Sequence, residues 1–254
     1  MVLKGKTHYN WGLPRLSIVI PAYNEEQRLP GTLETVLRWI DQPDYRDTEV
    51  LVVDDGSRDG TAAVGEAFGK RDTRVRVLRN PGNKGKGYSV RHGMMEGKGD
   101  WLLFSDADLS APIDELPKLT EAVRRDKAEV AIGSRAMDRS LIGVHQSGIR
   151  EEAGKFFNLL MKVSVGLPFQ DTQCGFKLFS KRAASEIFRR QTIERFGFDA
   201  EVLFIARLHG LKTVEVPVRW NHAEGTKIAM WSDGADMFLD LVRIRRNQWQ
   251  GKYR

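Results

Sequence analysis

The stretch Leu16-Ser-Ile-Val-Ile-Pro-Ala-Tyr-Asn-Glu-Glu26 decides the fold, because a β-branched apolar run passes directly into a polar loop. The run ends at Pro21, and residues 28–41 then place apolar side chains at helical spacing, at Leu29, Leu33, Val36, Leu37 and Ile40. This order is typical of a buried strand followed by an amphipathic helix. The stretch therefore predicts the first unit of an α/β fold.

The same succession of apolar run and helical repeat returns along the chain. It predicts further strands at 49–53, 75–78, 101–104, 130–132, 176–179 and 211–220. Helices are predicted after Thr61, around 89–95, and at 116–125, 151–165 and 198–209. Alternating strands and helices form right-handed βαβ units. We therefore predict an α/β fold with a Rossmann-like, mostly parallel sheet flanked by helices, in a single domain over residues 1–254.

The end of the chain predicts an amphipathic helix. Its apolar side chains fall on one helical face, at Ala235, Phe238, Leu239, Val242 and Trp249. The residues that follow, 243–254, are basic and include two aromatic side chains. Such a segment, like residues 156–161, suits either the surface of a membrane or packing in the core.

Charge and cysteine content limit the classes of partner and compartment. Lys and Arg outnumber Asp and Glu by 40 to 34. This excess suits phosphate-bearing ligands, an anionic membrane, nucleic acid or a plain solvated surface. The single cysteine, Cys174, excludes an intramolecular disulfide and is typical of the cytoplasm. No apolar run approaches the roughly 18–20 residues of a spanning helix, so for the chain as given we expect at most peripheral membrane contact.

Polar loops follow each of the first four predicted strands, at 21–26, 54–57, 80–87 and 106–108. In a parallel sheet, ligands bind outside the carboxyl ends of the strands. We therefore expect the four loops to line one crevice.

Asp106-Ala-Asp108 is the sharpest chemical signal in these loops. Mg²⁺ and Mn²⁺ prefer oxygen ligands, and Mg²⁺ commonly takes one or two carboxylates together with substrate phosphates. Alone, such a pair is often only a solvated strand end. Its position beside the other polar loops favours a metal that neutralises a diphosphate leaving group.

The loop Asn83-Lys-Gly-Lys-Gly87 combines glycines with two cations near a predicted helix N-terminus, which suits phosphate. The spacing of a P-loop is missing, and no dinucleotide fingerprint follows the first strand. A plain turn is the alternative. In the loop after the second strand, an acidic side chain is placed to accept hydrogen bonds from a nucleotide base or ribose.

Taken in order, the motifs at 20–26, 53–57, 83–87 and 106–108 resemble those of the inverting GT-A glycosyltransferases of family two. The resemblance continues through Gly133-Ser-Arg135 and the motifs at 171–177, 195–201 and 215–220. These later motifs resemble the dolichyl-phosphate β-glucosyltransferases in particular, and the likeness covers roughly residues 16–250. It implies a nucleotide-sugar-binding half at 16–135 and an acceptor-binding half at 136–254.

The resemblance also assigns roles to individual residues. The nucleotide-sugar would bind to Pro21, Tyr23, Glu25, Asp55, Lys84, Lys86, Asp106 and Asp108. Of these, the metal, Mg²⁺ or Mn²⁺, would be held by Asp106 and Asp108. The residues expected to act in catalysis are Asp108, Asp171, Arg135 and Lys227. The acceptor would contact Arg135, Arg150, Gln173, Lys177 and Lys227.

Some of these assignments have structural alternatives. Asp171 also suits a buried structural role, and Arg150 equally suits ordinary surface charge. Asp199 and Glu201 are interpreted as structural or orienting residues, because a phosphate acceptor is already ionised and has little need of a general base.

The resulting hypothesis is transfer of glucose from UDP-glucose to a polyprenyl phosphate, with inversion. The alternatives are another donor such as GDP-mannose, a soluble glycan or small-molecule acceptor, and a noncatalytic basic module for membranes or nucleic acid. We expect no nucleic-acid partner, because the acidic loops would repel polyanions. Eukaryotic members of the family carry an N-terminal membrane helix that this sequence does not show, so we expect either a peripheral form or an acceptor other than a long-chain lipid.

Overall fold

The strand and helix repeats of the first half form as predicted. This computed structural model describes residues 15–144, 165–221 and 230–254. The strands of the first half are β1 (Leu16–Ala22), β2 (Thr48–Asp54), β3 (Val75–Arg79), β4 (Trp101–Ser105) and β5 (Val130–Ser134). The helices between them are α1 (Leu29–Ile40), α2 (Thr61–Arg71), α3 (Lys86–Glu96) and α4 (Leu116–Asp126).

The second half is less regular than the first. Its strands are β6 (Ile142–Val144), β7 (Phe176–Ser180), β8 (Thr213–Pro217) and β9 (Trp220–Asn221). Its helices are α5 (Lys181–Phe188), α6 (Phe198–Leu208) and α7 (Met230–Trp249). Apart from its last residue, the helix predicted over 151–165 lies outside the described residues.

Three elements of this half differ from the prediction. The strand predicted over 211–220 is divided into β8 and β9, and Pro217, which has no N–H to donate to a ladder, ends β8. Strand β6 and helix α5 were not predicted. Helix α5 begins with a local signal, since the Ser180 hydroxyl accepts a hydrogen bond from the Ala183 amide at 3.1 Å, as an N-cap does.

The main sheet has seven strands in the order β3-β2-β1-β4-β7-β5-β8. Neighbouring strands of this sheet are parallel, except that β7 runs antiparallel to both β4 and β5. The Asp106 amide donates to the Gly175 carbonyl at 3.1 Å, so β7 begins beside the carboxyl end of β4. From there β7 must run in the direction opposite to β4. Strands β6 and β9 form a separate parallel pair.

Apolar clusters cover both faces of the sheet. Along β1 the side chains alternate, so Ile18 and Ile20 pack toward α1 and α4, whereas Val19 packs toward α3 and α6. These three side chains are fully buried. Each such burial contributes about 1.5–3 kcal/mol to folding, and together these contacts hold the loops at the carboxyl edge in place.

Helix α7 forms where an amphipathic helix is predicted, but it turns a different face to the core. Leu239, Val242 and Trp249 of the predicted apolar face are 61%, 57% and 84% exposed, and the side chains of 235 and 238 lie outside the described part. The helix instead buries Asp240, Leu241, Ile244 and Asn247. Hydropathy alone favours the wrong face, because two of these buried side chains are polar and have polar partners. Within the described ranges, no helix is long and apolar enough to cross a bilayer.

Candidate functional site

A cavity of about 460 Å³ opens at the carboxyl edge of the sheet, where the four polar loops meet. Four further parts of the chain reach it: the end of β5, the approach to β7, the beginning of α6 and β9. The predicted site residues that line it are Pro21, Tyr23, Glu25, Asp55, Lys86, Asp106, Asp108, Arg135 and Gln173. The expected crevice is therefore present and brings most of the predicted residues together.

The first two loops are fastened to each other through side chains. Asn24, in a left-handed conformation with φ 53°, accepts from the Arg58 amide at 2.8 Å, and its own amide donates to the Ser57 hydroxyl at 2.9 Å. The next amide, that of Glu25, donates to the Thr61 hydroxyl at 2.7 Å. These bonds fix the loop that carries Tyr23 and Glu25 at the cavity wall.

Asp55 organises the glycine-rich loop after β3. Its carboxylate accepts from Asn80 Nδ2 at 2.8 Å, from the Lys84 amide at 3.0 Å and from the Gly85 amide at 2.8 Å. Gly85 has φ 108°, and a Cβ there would lie 2.5 Å from the Glu194 carbonyl oxygen, so this turn requires glycine. The exposed Lys84 side chain lines a neighbouring cavity instead of this one.

The two predicted metal ligands, Asp106 and Asp108, both lie in the wall of the 460 Å³ cavity. Lys86, the first residue of α3, places its Nζ 2.7 Å from Asp106 Oδ1. Asp108 Oδ1 accepts from the Ser110 amide at 2.9 Å. Burial raises the pKa of the Asp106 carboxyl, and the nearby charges of Asp108 and Asp199 raise it further, against the opposing effect of Lys86.

This donor set suits a hard divalent cation. The described residues contain no cluster of three or more His, Cys, Asp or Glu side chains placed to hold an ion. A pair of carboxylates completed by substrate phosphate oxygens is, however, an ordinary arrangement for Mg²⁺. The repulsion between Asp106 and Asp108 is a reason for a cation to bind here. Asp106 and Asp108 are therefore the residues that could hold a metal.

Arg135 reaches the cavity from the end of β5. Its Nε and Nη2 donate to the two carboxylate oxygens of Asp171 at 2.6 and 2.8 Å, and its guanidinium lies 5.4 Å from the Trp220 ring centroid. Burial acts to raise the pKa of Asp171, but the charge and hydrogen bonds of Arg135 hold it below its usual value. Asp171 is buried behind Arg135 and does not line the cavity. Its position therefore favours a role in orienting the Arg135 side chain.

Lys177 lies beneath the cavity floor and is fully buried. Its Nζ forms an ion pair with Asp199 and donates to the Cys174 carbonyl at 2.6 Å. Asp199 lines the cavity, so Lys177 holds a carboxylate at the wall but does not reach the wall itself. Burial raises the pKa of the Cys174 thiol to about 12, which keeps it protonated.

Glu201 has a structural position, in agreement with its predicted role. It is fully buried and accepts from the Thr192 amide, the Ile193 amide and the Tyr253 hydroxyl, the last at 2.6 Å. These bonds fix the segment 192–197, which reaches the cavity at its far end.

Sequence reasoning missed several residues of the wall and predicted two that the structure does not describe. Arg195 and Phe196 line the cavity, and so do Arg28 and Trp220. Arg195 and Phe196 belong to the family motif at 195–201, but nothing in that motif shows which of its side chains face the cavity. Gln173 was predicted, and its buried Nε2 has no hydrogen-bond partner among the described residues. Arg150 and Lys227 lie outside the described part of the chain.

Comparison with known proteins shows the family. The protein-family model described as Glycosyl transferase family 2 matches residues 17–188 of the sequence. A dolichyl-phosphate beta-glucosyltransferase of Drosophila melanogaster is 38% identical, over 92% of this chain and 77% of the relative. A human protein of the same name is 34% identical, over 96% and 79%, and one from Trichomonas vaginalis is 36% identical, over 92% and 75%.

Solved structures share the fold. A glucosyl-3-phosphoglycerate synthase from Mycobacterium tuberculosis, crystallised with Mn²⁺, UDP-glucose and phosphoglyceric acid, matches with a TM-score of 0.63, 18% identity, and coverage of 91% of this chain and 78% of that one. A mannosyl-3-phosphoglycerate synthase from Rubrobacter xylanophilus matches with a TM-score of 0.64, 19% identity, and coverage of 94% and 75%. The arrangement of the sheet is thus that of GT-A enzymes. By family model and by relatives, the chain belongs to glycosyltransferase family 2 and, within it, to the dolichyl-phosphate beta-glucosyltransferases.

Proposed function

We propose that this protein transfers glucose from UDP-glucose to a dolichyl-type polyprenyl phosphate, with inversion at the anomeric carbon and with Mg²⁺ or Mn²⁺ as cofactor. One observation carries the proposal. A single cavity combines two carboxylates suited to a metal, Asp106 and Asp108, with the cations Lys86 and Arg135 on its walls. Such a wall suits a substrate pair that brings both a diphosphate and a phosphate.

The donor would occupy the side of the cavity formed by the first three loops. Pro21, Tyr23, Glu25 and Asp55 would contact the nucleotide, and Lys84 would lie near it. A metal on Asp106 and Asp108 would supply charge neutralisation for the leaving diphosphate. The likeness to an enzyme crystallised with Mn²⁺ and UDP-glucose supports this choice of donor and cofactor.

Lys86 would act on the same diphosphate. Its Nζ already lies at Asp106 and is within 5.3 Å of the Phe104 ring centroid, so its position is fixed before the donor arrives. A cation held in advance stabilises charge that develops on the leaving group without the cost of reorganisation.

The acceptor phosphate would meet Arg135, with Gln173 beside it. We assign Arg150 and Lys227 to the same phosphate, as the family resemblance implies. Asp171 and Lys177 would act indirectly, by holding Arg135 and Asp199 in place. A fork of guanidinium N–H groups can bind Asp171 and still present its other donors to a phosphate.

The carboxylates of the cavity wall already have hydrogen-bond or ion-pair partners, which favours an acceptor that is ionised when it binds. Each acidic side chain that lines the cavity already has a partner: Glu25 with Arg28, Asp55 with Asn80, Asp106 with Lys86, Asp108 with the Ser110 amide, and Asp199 with Lys177. A phosphate oxygen would attack the anomeric carbon from the face opposite the diphosphate. The bond to the diphosphate then breaks, its electron pair leaves with UDP, and no proton needs to be removed.

The acceptor class also sets the location. A polyprenyl chain is retained in a bilayer, and UDP-glucose is dissolved in the cytoplasm. We therefore propose that the protein works on the cytoplasmic face of a membrane, where it can meet both substrates.

The test is a transfer assay with radiolabelled UDP-glucose, GDP-mannose and other nucleotide-sugars, polyprenyl phosphate and Mn²⁺, in which label is counted in the organic phase. We expect metal-dependent label from UDP-glucose. Label from another donor would correct the sugar and keep the mechanism. A protein that binds UDP yet labels only water-soluble glycans would refute the lipid acceptor, and Asp199→Asn should then abolish the transfer.

A further inference from the structure

Helix α7 carries the most exposed large apolar side chains of the described chain. Leu239, Val242 and Trp249 are 61%, 57% and 84% exposed, whereas the next, Met137, is 43% exposed. Their spacing of three and seven residues places them on one side of the helix. The outer face of α7 is defined here as these three residues together with Arg243 and Arg246.

The same face is positively charged. Arg243 and Arg246 are exposed and lie between the apolar side chains in sequence. With Lys252 and Thr192 they line a cavity of about 290 Å³. The acidic residue nearest in sequence, Asp240, is buried and paired with Arg243 at 2.8 Å. The outer face therefore offers apolar and cationic groups but no exposed anion of its own.

We propose that the outer face of α7 docks on the surface of an anionic lipid bilayer. A helix that presents aromatic and aliphatic side chains beside arginines lies in the plane of the interface, with the apolar groups among the acyl chains and the arginines at the phosphates. A second copy of the chain is a poorer occupant. In a two-fold dimer the same face meets itself, which would bring four arginines together. The choice of a bilayer rests partly on the proposed lipid-linked acceptor.

The outer face lies next to the active site. A second cavity, of about 430 Å³, is lined by Leu239 and Arg243 of α7 and by Lys84. It shares Asn83, Arg195 and Phe196 with the main cavity. A bilayer docked on α7 would therefore hold phosphate headgroups close to the mouth of the site. This surface adds to the proposed function the side from which a lipid acceptor approaches.

The experiment is vesicle sedimentation of the full chain without nucleotide, on phosphatidylglycerol and on phosphatidylcholine vesicles. Binding to the anionic vesicles should be at least about tenfold stronger and should weaken as salt is raised. The triple variant Leu239→Ser, Val242→Ser, Trp249→Ser should lose at least about tenfold in binding, and Arg246→Glu should lose binding to the anionic vesicles alone. Leu208→Ser, at another exposed apolar position, is the matched control and should bind as the parent does.

A spectroscopic measurement reports insertion directly. Brominated lipids should quench part of the fluorescence of the parent protein, and Trp249→Phe should remove that part. Equal vesicle binding by the parent and the triple variant would overturn the proposal. So would size-exclusion data in which the parent is a dimer and the triple variant a monomer, because a second copy would then cover the face. A parent protein that binds the anionic vesicles but transfers no glucose to polyprenyl phosphate would refute the proposed function and leave the docking surface supported.

Discussion

Gly175 stands at a position where any side chain would displace a predicted metal ligand. A Cβ at residue 175 would lie 1.9 Å from the Asp106 carboxylate. We expect Gly175→Ala to reduce transfer by at least about tenfold, equivalent to about 1.4 kcal/mol in transition-state stabilisation, since Asp106 must move. Gly31→Ala is the matched control, because nothing lies within 4 Å of a Cβ there. Steady-state assays at saturating acceptor measure the difference, and equal activity of the two variants would contradict it.

Asp108 offers a test of the metal that does not depend on activity. With Mn²⁺ present, UDP at 100 times its Kd should add about 2.7 kcal/mol to the free energy of unfolding. Chelation should reduce this gain, and Asp108→Asn should reduce it equally, because the amide keeps the shape but loses the charge. Asp47→Asn, at an 81% exposed side chain, should keep the full gain in a thermal-shift measurement. A gain that survives in Asp108→Asn would exclude the assigned ligand.

Arg135 should not tolerate lysine. Lysine keeps the charge but cannot form the two parallel hydrogen bonds to Asp171, and the ammonium would lose the fixed position beside Trp220. We expect Arg135→Lys to raise the KM for the acceptor phosphate several-fold more than the KM for UDP-glucose. Arg182→Lys changes an exposed pair with Glu129 and should leave both constants unchanged. A selective effect on UDP-glucose would place Arg135 at the donor.

The sequence predicts the chemistry of these residues better than their depth. Charged side chains after buried strands had to meet at one edge, so the cavity and the Asp106–Asp108 pair were predictable. Asp171 and Lys177 belong to the same motif as Gln173, yet they lie behind the wall that Gln173 lines. Which side chain of a loop turns inward depends on its partners in other loops, and no local pattern carries that information.

The segment between the Asp106 loop and α4 is fixed by one buried carboxylate. Glu115 accepts from Arg219 Nε and from the Arg219 amide, at 2.5 and 3.1 Å, and from Lys118. Burial acts to raise the pKa of Glu115, but these hydrogen bonds lower it below its usual value. Arg219 precedes Trp220 of the cavity wall, so this contact joins the segment after Asp106 and Asp108 to the wall that carries Trp220.

The lowered pKa predicts a pH dependence of stability. A carboxyl with a lowered folded pKa stabilises the protein above its unfolded pKa, and this contribution is lost as the pH falls through the folded value. Glu115→Gln should therefore destabilise the protein most near neutral pH, and the difference from the parent should shrink below about pH 4.5. Urea denaturation at about pH 7 and about pH 3.5 measures it, with Glu121→Gln on α4 as the control. A difference that stays constant with pH would contradict the assignment.

Elements were predicted well where one physical signal acts alone. Strands β1, β2, β4 and β5 are largely buried on both faces, and the edge strand β3 is a shorter run of Val and Leu. All five alternate with helices, so periodicity suffices. The antiparallel direction of β7 is set by contacts with β4 and β5, which hydropathy does not report. The buried face of α7 depends on a polar network of Asn247, Thr192 and Tyr253. An apolar stripe therefore points outward on that helix.

At the scale of the whole molecule, the two halves expected from the family motifs share one sheet. Strand β7, from the second half, lies between β4 and β5, both of the first half. A fragment that ends at residue 135 would leave β5 without either neighbour, since β8 is also missing. We expect such a fragment to lack amide protection in 130–134, while 16–22 and 48–54 retain some through their own pairing. Hydrogen exchange read by mass spectrometry tests this, and protection of 130–134 in the fragment would contradict it.

The inserted strand also has a consequence for synthesis on the ribosome. Strands β1 to β4 can pair as they emerge, but β5 has to wait until about 45 further residues have left the exit tunnel and β7 is available. During that interval the hydrogen-bonding edges of β4 and β5 that face β7 are unpaired, and both are open to pairing with another nascent chain. Slow translation between β5 and β7 would lengthen this exposure. The codons of that interval should therefore affect the yield of folded protein more than the codons of any earlier stretch, and the nascent chain should depend most on chaperones at that stage.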